Sequence, residues 1–205
     1  MDIAQWLSLF SICLLGAMSP GPSLAVVINA ALRGGRSHGL AAALAHGLGV
    51  GLYGLLTVVG LAVLVTRSPA LFLGLQLAGA AYLVYLGIRS LRSQETLPLH
   101  AGEVKFSSRG AAISGFLVAF LNPKLAVFML ALFAQFLNPE TGPTEKAIMA
   151  LTVGFTDAGW YCLMVVLVSN KAFFDSLRRS SQAIDRVFGV ILILLAAVVT
   201  VRALA

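Results

Sequence analysis

Asp157, Lys124 and His46 are the side chains in this chain best placed to hold a charged solute or move a proton, because each falls within a predominantly apolar run. Asp157 lies about ten residues into the run that opens near Ala147, close to its middle. A carboxylate at the centre of a membrane-spanning helix costs at least ~2.5–3.5 kcal/mol unless it is paired or hydrated. Burial favours the neutral acid and a nearby cation favours the carboxylate. A group balanced between the two can load and release a proton; a structural ion pair or interhelical hydrogen bond is the competing account. Lys124 follows Pro123 directly and has ~12 residues of the same run on each side, a long reach for a side chain snorkelling to an interface. Its ammonium is the obvious partner for Asp157, or for a substrate carboxylate. His46 sits about eight residues into another apolar run. Imidazole titrates near neutral pH and can relay protons, although a hydrogen-bonded packing histidine fits the position as well.

The elements that must position these groups are interrupted helices. The uncharged run Ile3 to Leu32 is long enough to cross a bilayer, which takes ~20 apolar residues, yet Pro20-Gly21-Pro22 lies in its middle. Proline lacks an N–H and clashes with the carbonyl four residues back, so a break is expected there. Asn122-Pro123 interrupts a second apolar segment, and the pattern Pro22-x-Leu-Ala-Val returns as Pro123-x-Leu-Ala-Val. Broken backbone at membrane depth is tolerated only where protein or a wet cavity satisfies the freed groups. Paired interruptions in two halves of a chain point to a transporter's binding site. Half-helix N-termini after Pro22 and Pro123 would present N–H groups and partial positive charge to a carboxylate. Freed carbonyls and the Asn122 side chain would face an ammonium. The substrate-binding set expected on these grounds is Pro20, Gly21, Pro22, Asn122, Pro123, Lys124 and Asp157, with Asp157 and His46 for proton coupling. Both signs of charge around one mid-membrane point suit a zwitterion, unless the prolines merely kink helices for packing. Tyr53, Tyr82, Tyr85, Trp160 and Tyr161 are further candidates for lining the cavity, although aromatics in spans are more often packing.

Composition sets the class. Hydrophobic residues make up 59% of the 205 residues and charged ones 11%, against about 25% charged in soluble domains. The chain therefore reads as an all-α integral membrane protein with six spans, near residues 5–32, 38–66, 69–88, 110–137, 147–169 and 187–201. The sixth is the shortest. Its organisation reads as a first three-helix repeat over 1–92, a cytoplasmic linker over 93–109 and a second three-helix repeat over 110–205. Gly51-Leu52-Tyr53-Gly54-Leu55 echoes Gly159-Trp160-Tyr161-Cys162-Leu163 at an offset of 108, beside the offset of 101 between Pro22 and Pro123. Three spans are an odd number of crossings, so the second copy is expected upside down, with inverted topology. Small residues at Gly35, Gly39, Ala43, Gly47 and Gly51 recur every four positions, a face on which another helix can approach closely; such faces also permit a homodimer.

A net charge of +6 is better explained by basic loops on one side of a membrane than by nucleic acid. Cys13 and Cys162 show no metal-site or disulfide spacing and read as small apolar residues. No metal site and no cofactor is expected, and the absence of a Gly-x-x-x-x-Gly-Lys-Ser/Thr loop leaves the chain without a phosphate loop of its own.

These motifs resemble the LysE/RhtB family, the lysine and homoserine/threonine exporters of bacterial inner membranes. The resemblance rests on Pro20-Gly21-Pro22, the glycines at 35, 39 and 47, Asn122-Pro123-Lys124 and Gly154-x-x-Asp157-x-x-Trp160-Tyr161, and it covers essentially the whole chain. It implies proton-coupled efflux of amino acids or close derivatives from a bacterial cytoplasm. It does not carry the identity of the amino acid. A cation or metal-ion transporter of the same superfamily is the alternative. A membrane enzyme has no recognised motif to support it, and a non-transporting scaffold leaves Asp157 and Lys124 unexplained.

Ten basic residues (Arg33, Arg36, Arg89, Arg92, Lys105, Arg109, Lys171, Arg178, Arg179 and Arg186) follow spans one, three and five, against Arg67, Lys146 and Arg202 on the other side. The positive-inside rule places the ten in the cytoplasm and both termini in the periplasm. A C-terminal fusion to a reporter active only outside the cytoplasm is expected to be active; activity confined to a cytoplasm-only reporter overturns the orientation.

Overall fold

The computed structural model describes residues 1–19, 21–92, 107–168 and 171–204, and they contain eight helices and no strand. In chain order these are α1 (Ile3–Met18), α2 (Pro22–Gly34), α3 (Arg36–Arg67), α4 (Pro69–Arg92), α5 (Ser108–Phe120), α6 (Pro123–Phe133), α7 (Pro143–Leu167) and α8 (Lys171–Leu204). Helices α3, α4, α7 and α8 are each long and apolar enough to cross a membrane. The pairs α1/α2 and α5/α6 reach that length together and are bent by 63° and 54° at their breaks, which makes six spans when each pair counts as one. The protein is an all-α membrane protein. The linker expected over 93–109 lies, for residues 93–106, outside the described residues.

Local chemistry explains where the helices start. Asp2 caps α1 by accepting from the Gln5 N–H at 2.7 Å while the Gln5 side chain accepts from the Asp2 N–H at 3.0 Å, the reciprocal box that satisfies two orphan donors. Ser107 caps α5 through the Gly110 N–H. Pro22, Pro123 and Pro143 each stand at the first position of a helix, where the missing N–H is not required. Between α2 and α3 the chain turns on Gly35, with φ +81°, a left-handed conformation that glycine adopts without steric cost.

The sixth span is longer than expected. The sequence leaves only residues 187–201 free of charge, but α8 continues unbroken from Lys171, and its apolar window Gln182–Val201 takes in Asp185 and Arg186. Asp185 is buried, so Asp157 is not the only acidic side chain held inside a span.

Packing depends on backbone-to-backbone approach. The stripe on α3 is used against neighbouring helices of the same chain. Gly39 meets Ala31 and Val165, Gly47 meets Ala158, and Gly51 meets Gly154. The partner numbers fall as the α3 numbers rise, so α3 and α7 cross antiparallel. Likewise Gly87 of α4 packs on Gly189 and Ile193 of α8, with Leu91 against Gly189. On another face of α3, a Cβ at Gly115 of α5 would sit 2.2 Å from the Ala42 carbonyl oxygen. Without a water–lipid difference to drive helices together, such close contacts supply the association energy. One apolar cluster draws on every helix except α2 and is centred on Leu83, Leu132 and Phe133, and a second, the α2/α3/α7 cluster with Ala111 of α5, lies around Val27, Ile28 and Val165. The outer surface is apolar as well, with Phe155 73% exposed, as a hydrocarbon-facing surface requires.

Gly115→Ala should collapse the α3/α5 crossing and sharply lower the yield of folded protein in detergent, because the Cβ meets backbone. Gly74→Ala, whose Cβ meets nothing within 4 Å, should leave yield and thermal midpoint unchanged. Equal behaviour of the two would show that this crossing is not sterically set.

Candidate functional site

The two breaks open onto one cavity of about 70 Å³, room for several waters or part of a small polar solute. Gly21 and Pro22 reach it from the first break, Asn122 and Lys124 from the second, His46 from α3, and Asp157 with Tyr161 from α7. Residues from both breaks thus line one cavity together with Asp157 and Lys124. Pro123 starts α6 without being part of the lining, and Pro20 lies outside the described residues. Tyr161 lines the cavity; Tyr53 and Trp160 do not. Tyr53 packs edge-on to Phe120 at 5.9 Å, Trp160 packs beside the α2/α3/α7 cluster, and Tyr82 and Tyr85 pair with each other near the surface.

The breaks differ in how they treat their freed groups. At the second, the Asn122 side-chain oxygen accepts from the Lys124 N–H at 3.0 Å and the Leu125 N–H at 3.3 Å. This caps α6 and occupies the amide oxygen that the sequence offered to a substrate ammonium. At the first, Gly21 is fully extended, with φ −179° and ψ −171°, and no side chain caps α2. The amides at the start of α2 thus lie where Gly21 and Ser23 line the cavity.

The charges are also arranged differently from the sequence expectation. The partner of Asp157 is His46, not Lys124. His46 Nδ1 lies 2.6 Å from Asp157 Oδ2, and the two residues are only 2% and 7% exposed. Lys124 Nζ instead donates to Ser19 Oγ at 3.1 Å and stands 4.8 Å from the centroid of the Phe188 ring, a cation–π contact. Lys124 thus lies beside Ser19 and Phe188 of α8, whereas Asp157 faces α3. The His46 ring is in turn edge-on to Tyr161 at 4.7 Å, and Ser23 and Tyr161 both line the cavity. Ser19, Phe128 and Phe188 are lining residues that the sequence did not single out, and Ser23 lines the cavity as well. Cys13 is buried as expected, and it too lines the cavity. Cys162 is only partly buried.

Comparison with known proteins shows the family. Residues 14–202 match the family model described as LysE type translocator. The chain belongs to that family. Its relatives include a homoserine/homoserine lactone efflux protein of Salmonella typhimurium, 28% identical over 96% of each chain. A threonine efflux protein of Escherichia coli is 24% identical over 88% of this chain and 89% of the relative. An uncharacterized membrane protein of Vibrio cholerae is 32% identical over 68% of each. No solved structure matches the chain.

For this translocator, removal of the α6 cap is a test of local structure. Asn122→Ala leaves two amides at the break without their acceptor and should cost about 1 kcal/mol, read as a lower midpoint of thermal unfolding in detergent. Asn122→Asp should recover most of it; an unchanged midpoint in the alanine variant would show that the cap contributes nothing.

Proposed function

We propose that this translocator is a secondary exporter of amino acids or close derivatives, coupled to proton antiport and working by alternating access in the bacterial inner membrane, with both termini periplasmic. The observation that carries the reading is the shared cavity at the two breaks, lined by Lys124, by the uncapped start of α2 and by the His46–Asp157 pair. It offers positive and negative ends to a zwitterion within membrane-spanning segments. The relatives named for efflux of homoserine, homoserine lactone and threonine support the same substrate class; all three compounds carry an α-ammonium.

Alternating access draws support from the packing. Antiparallel crossings of α3 with α7 and of α4 with α8 suit two halves of opposite topology. The interfaces that such a relation would make equivalent are unequal. The α3/α5 crossing is closed by backbone contact at Gly115. The α1/α7 contact is tied by polar links: Trp6 Nε1 donates to Thr152 Oγ1 at 3.1 Å, and the Met1 ammonium pairs with Glu145. Water can replace those links at a membrane interface, so α1/α7 is the seam that opens at lower cost. For the cation-transport alternative, hard metal ions want several oxygen ligands and soft ones want clustered Cys or His. Among the described residues no three His, Cys, Asp or Glu side chains converge.

Vesicles loaded with labelled homoserine or threonine and given an inward proton gradient should lose label faster with the protein than without it, and an uncoupler should remove the difference. Asp157→Asn keeps the shape but not the acid, and should slow the proton-driven flux by about tenfold or more, ~1.4 kcal/mol in barrier. Uncoupler-insensitive flux, or a normal pH profile in Asp157→Asn, counts against proton coupling.

A further inference from the structure

One polar atom of the cavity pair has no partner. His46 Nε2 is buried and makes no hydrogen bond among the described residues, although His46 lines the cavity and its other nitrogen is 2.6 Å from Asp157. A buried donor or acceptor left unmet is unfavourable. The contact on the far side of the ring fixes what kind of atom Nε2 is. When imidazole is neutral and Asp157 is ionised, Nδ1–H donates to the carboxylate, and Nε2 carries a lone pair. When the pair gains one proton, it goes to the more basic imidazole, or to Asp157 with the carboxyl O–H donating to Nδ1. In both arrangements Nε2 becomes an N–H donor.

Resting on the export reading above, we infer that His46 Nε2 is the acceptor for the substrate's ammonium, and that the transported proton competes with the substrate for it. In the proton-free state, once the lining opens enough to uncover Nε2, an ammonium N–H donates to it, with the Asp157 charge behind the ring adding attraction. Addition of one proton leaves Nε2 with a hydrogen that points at the ammonium, and the substrate is expelled. One proton taken from the acidic side thus releases one amine-bearing substrate there, and loss of that proton on the other side restores the acceptor. Imidazole so placed is a substrate ligand as well as a proton carrier. The other titratable side chains of the lining are Cys13 on α1, Lys124 on α6 and Tyr161 on α7.

The experiment is competition in vesicles holding the full-length protein. Labelled homoserine efflux is measured against the unlabelled free amine and against its N-acetyl derivative, from about pH 5.5 to 7.5, a window around the ordinary imidazole range. The N-acetyl derivative should compete at least tenfold more weakly, and the half-saturation concentration of homoserine should rise as pH falls. His46→Asn places an amide where Nδ1 was, keeping a donor for Asp157 but no atom at Nε2. It should melt within a few degrees of wild type, bind homoserine at least tenfold more weakly and lose the pH dependence of half-saturation. Should that variant not fold, the N-acetyl comparison on wild-type protein still decides. Equal competition by the N-acetyl derivative, or a wild-type half-saturation and pH profile in folded His46→Asn, overturns the inference while leaving export standing. If none of the common amino acids or homoserine moves at any pH through folded protein, the export reading falls and this inference with it.

Discussion

Hydrocarbon cannot hydrogen-bond a peptide group, so a helix interrupted at membrane depth must find its partners inside the protein. Most features of this molecule follow from the fact that it interrupts two. The first break leaves the start of α2 without a side-chain cap, and the second is closed by Asn122. Bringing the breaks to a common cavity gives the exposed amides a polar, enclosed environment. It also requires the surrounding helices to supply polar side chains there, which is why Ser19, Ser23, His46, Lys124 and Asp157 share a lining with Leu86, Phe128 and Leu192.

Close helix approach then sets the distances within that lining. His46 precedes Gly47, and Asp157 precedes Ala158; Gly47 and Ala158 are the residues where α3 and α7 touch, with a Cβ at Gly47 falling 2.5 Å from that of Ala158. A side chain larger than hydrogen at position 47 would push the helices apart and lengthen the 2.6 Å contact between imidazole and carboxylate. The packing stripe and the polar pair are thus one arrangement: small residues remove bulk at the crossing so that two buried polar side chains beside it can share a proton.

The sequence showed the breaks because proline acts through its own covalent structure, and it showed Asp157 because a charge in an apolar run stands out without reference to any neighbour. It did not show the partner of Asp157. Complementary charge favoured Lys124, but His46 and Asp157 are 111 residues apart, and only the α3/α7 crossing brings them together. A signal was present nonetheless, since His46 adjoins a glycine of the stripe whose spacing predicted a close helix contact. Helical geometry also separates the aromatics. Tyr161 is four residues beyond Asp157 and shares its face, and it lines the cavity; Tyr53 is two turns along α3 from His46, about 10 Å of rise away, and packs on Phe120. Asp185 was passed over because a search for uncharged runs ends at the first ionised residue, whereas the helix itself continues through it.

The separation of Lys124 from Asp157 bears on how a transport cycle can run. An ammonium and a carboxylate in direct contact in a low-dielectric site hold each other ionised, and removing either charge from such a pair is strongly unfavourable. A site closed in that way would resist both loading a proton and yielding to a zwitterion. Here the acid is paired with imidazole, and the lysine reaches Ser19 and the Phe188 ring. Lys124 and the His46–Asp157 pair thereby share one lining without forming an ion pair with each other. In the proposed cycle the proton is carried by the His46–Asp157 pair, and Lys124 contributes to the same lining from the other break.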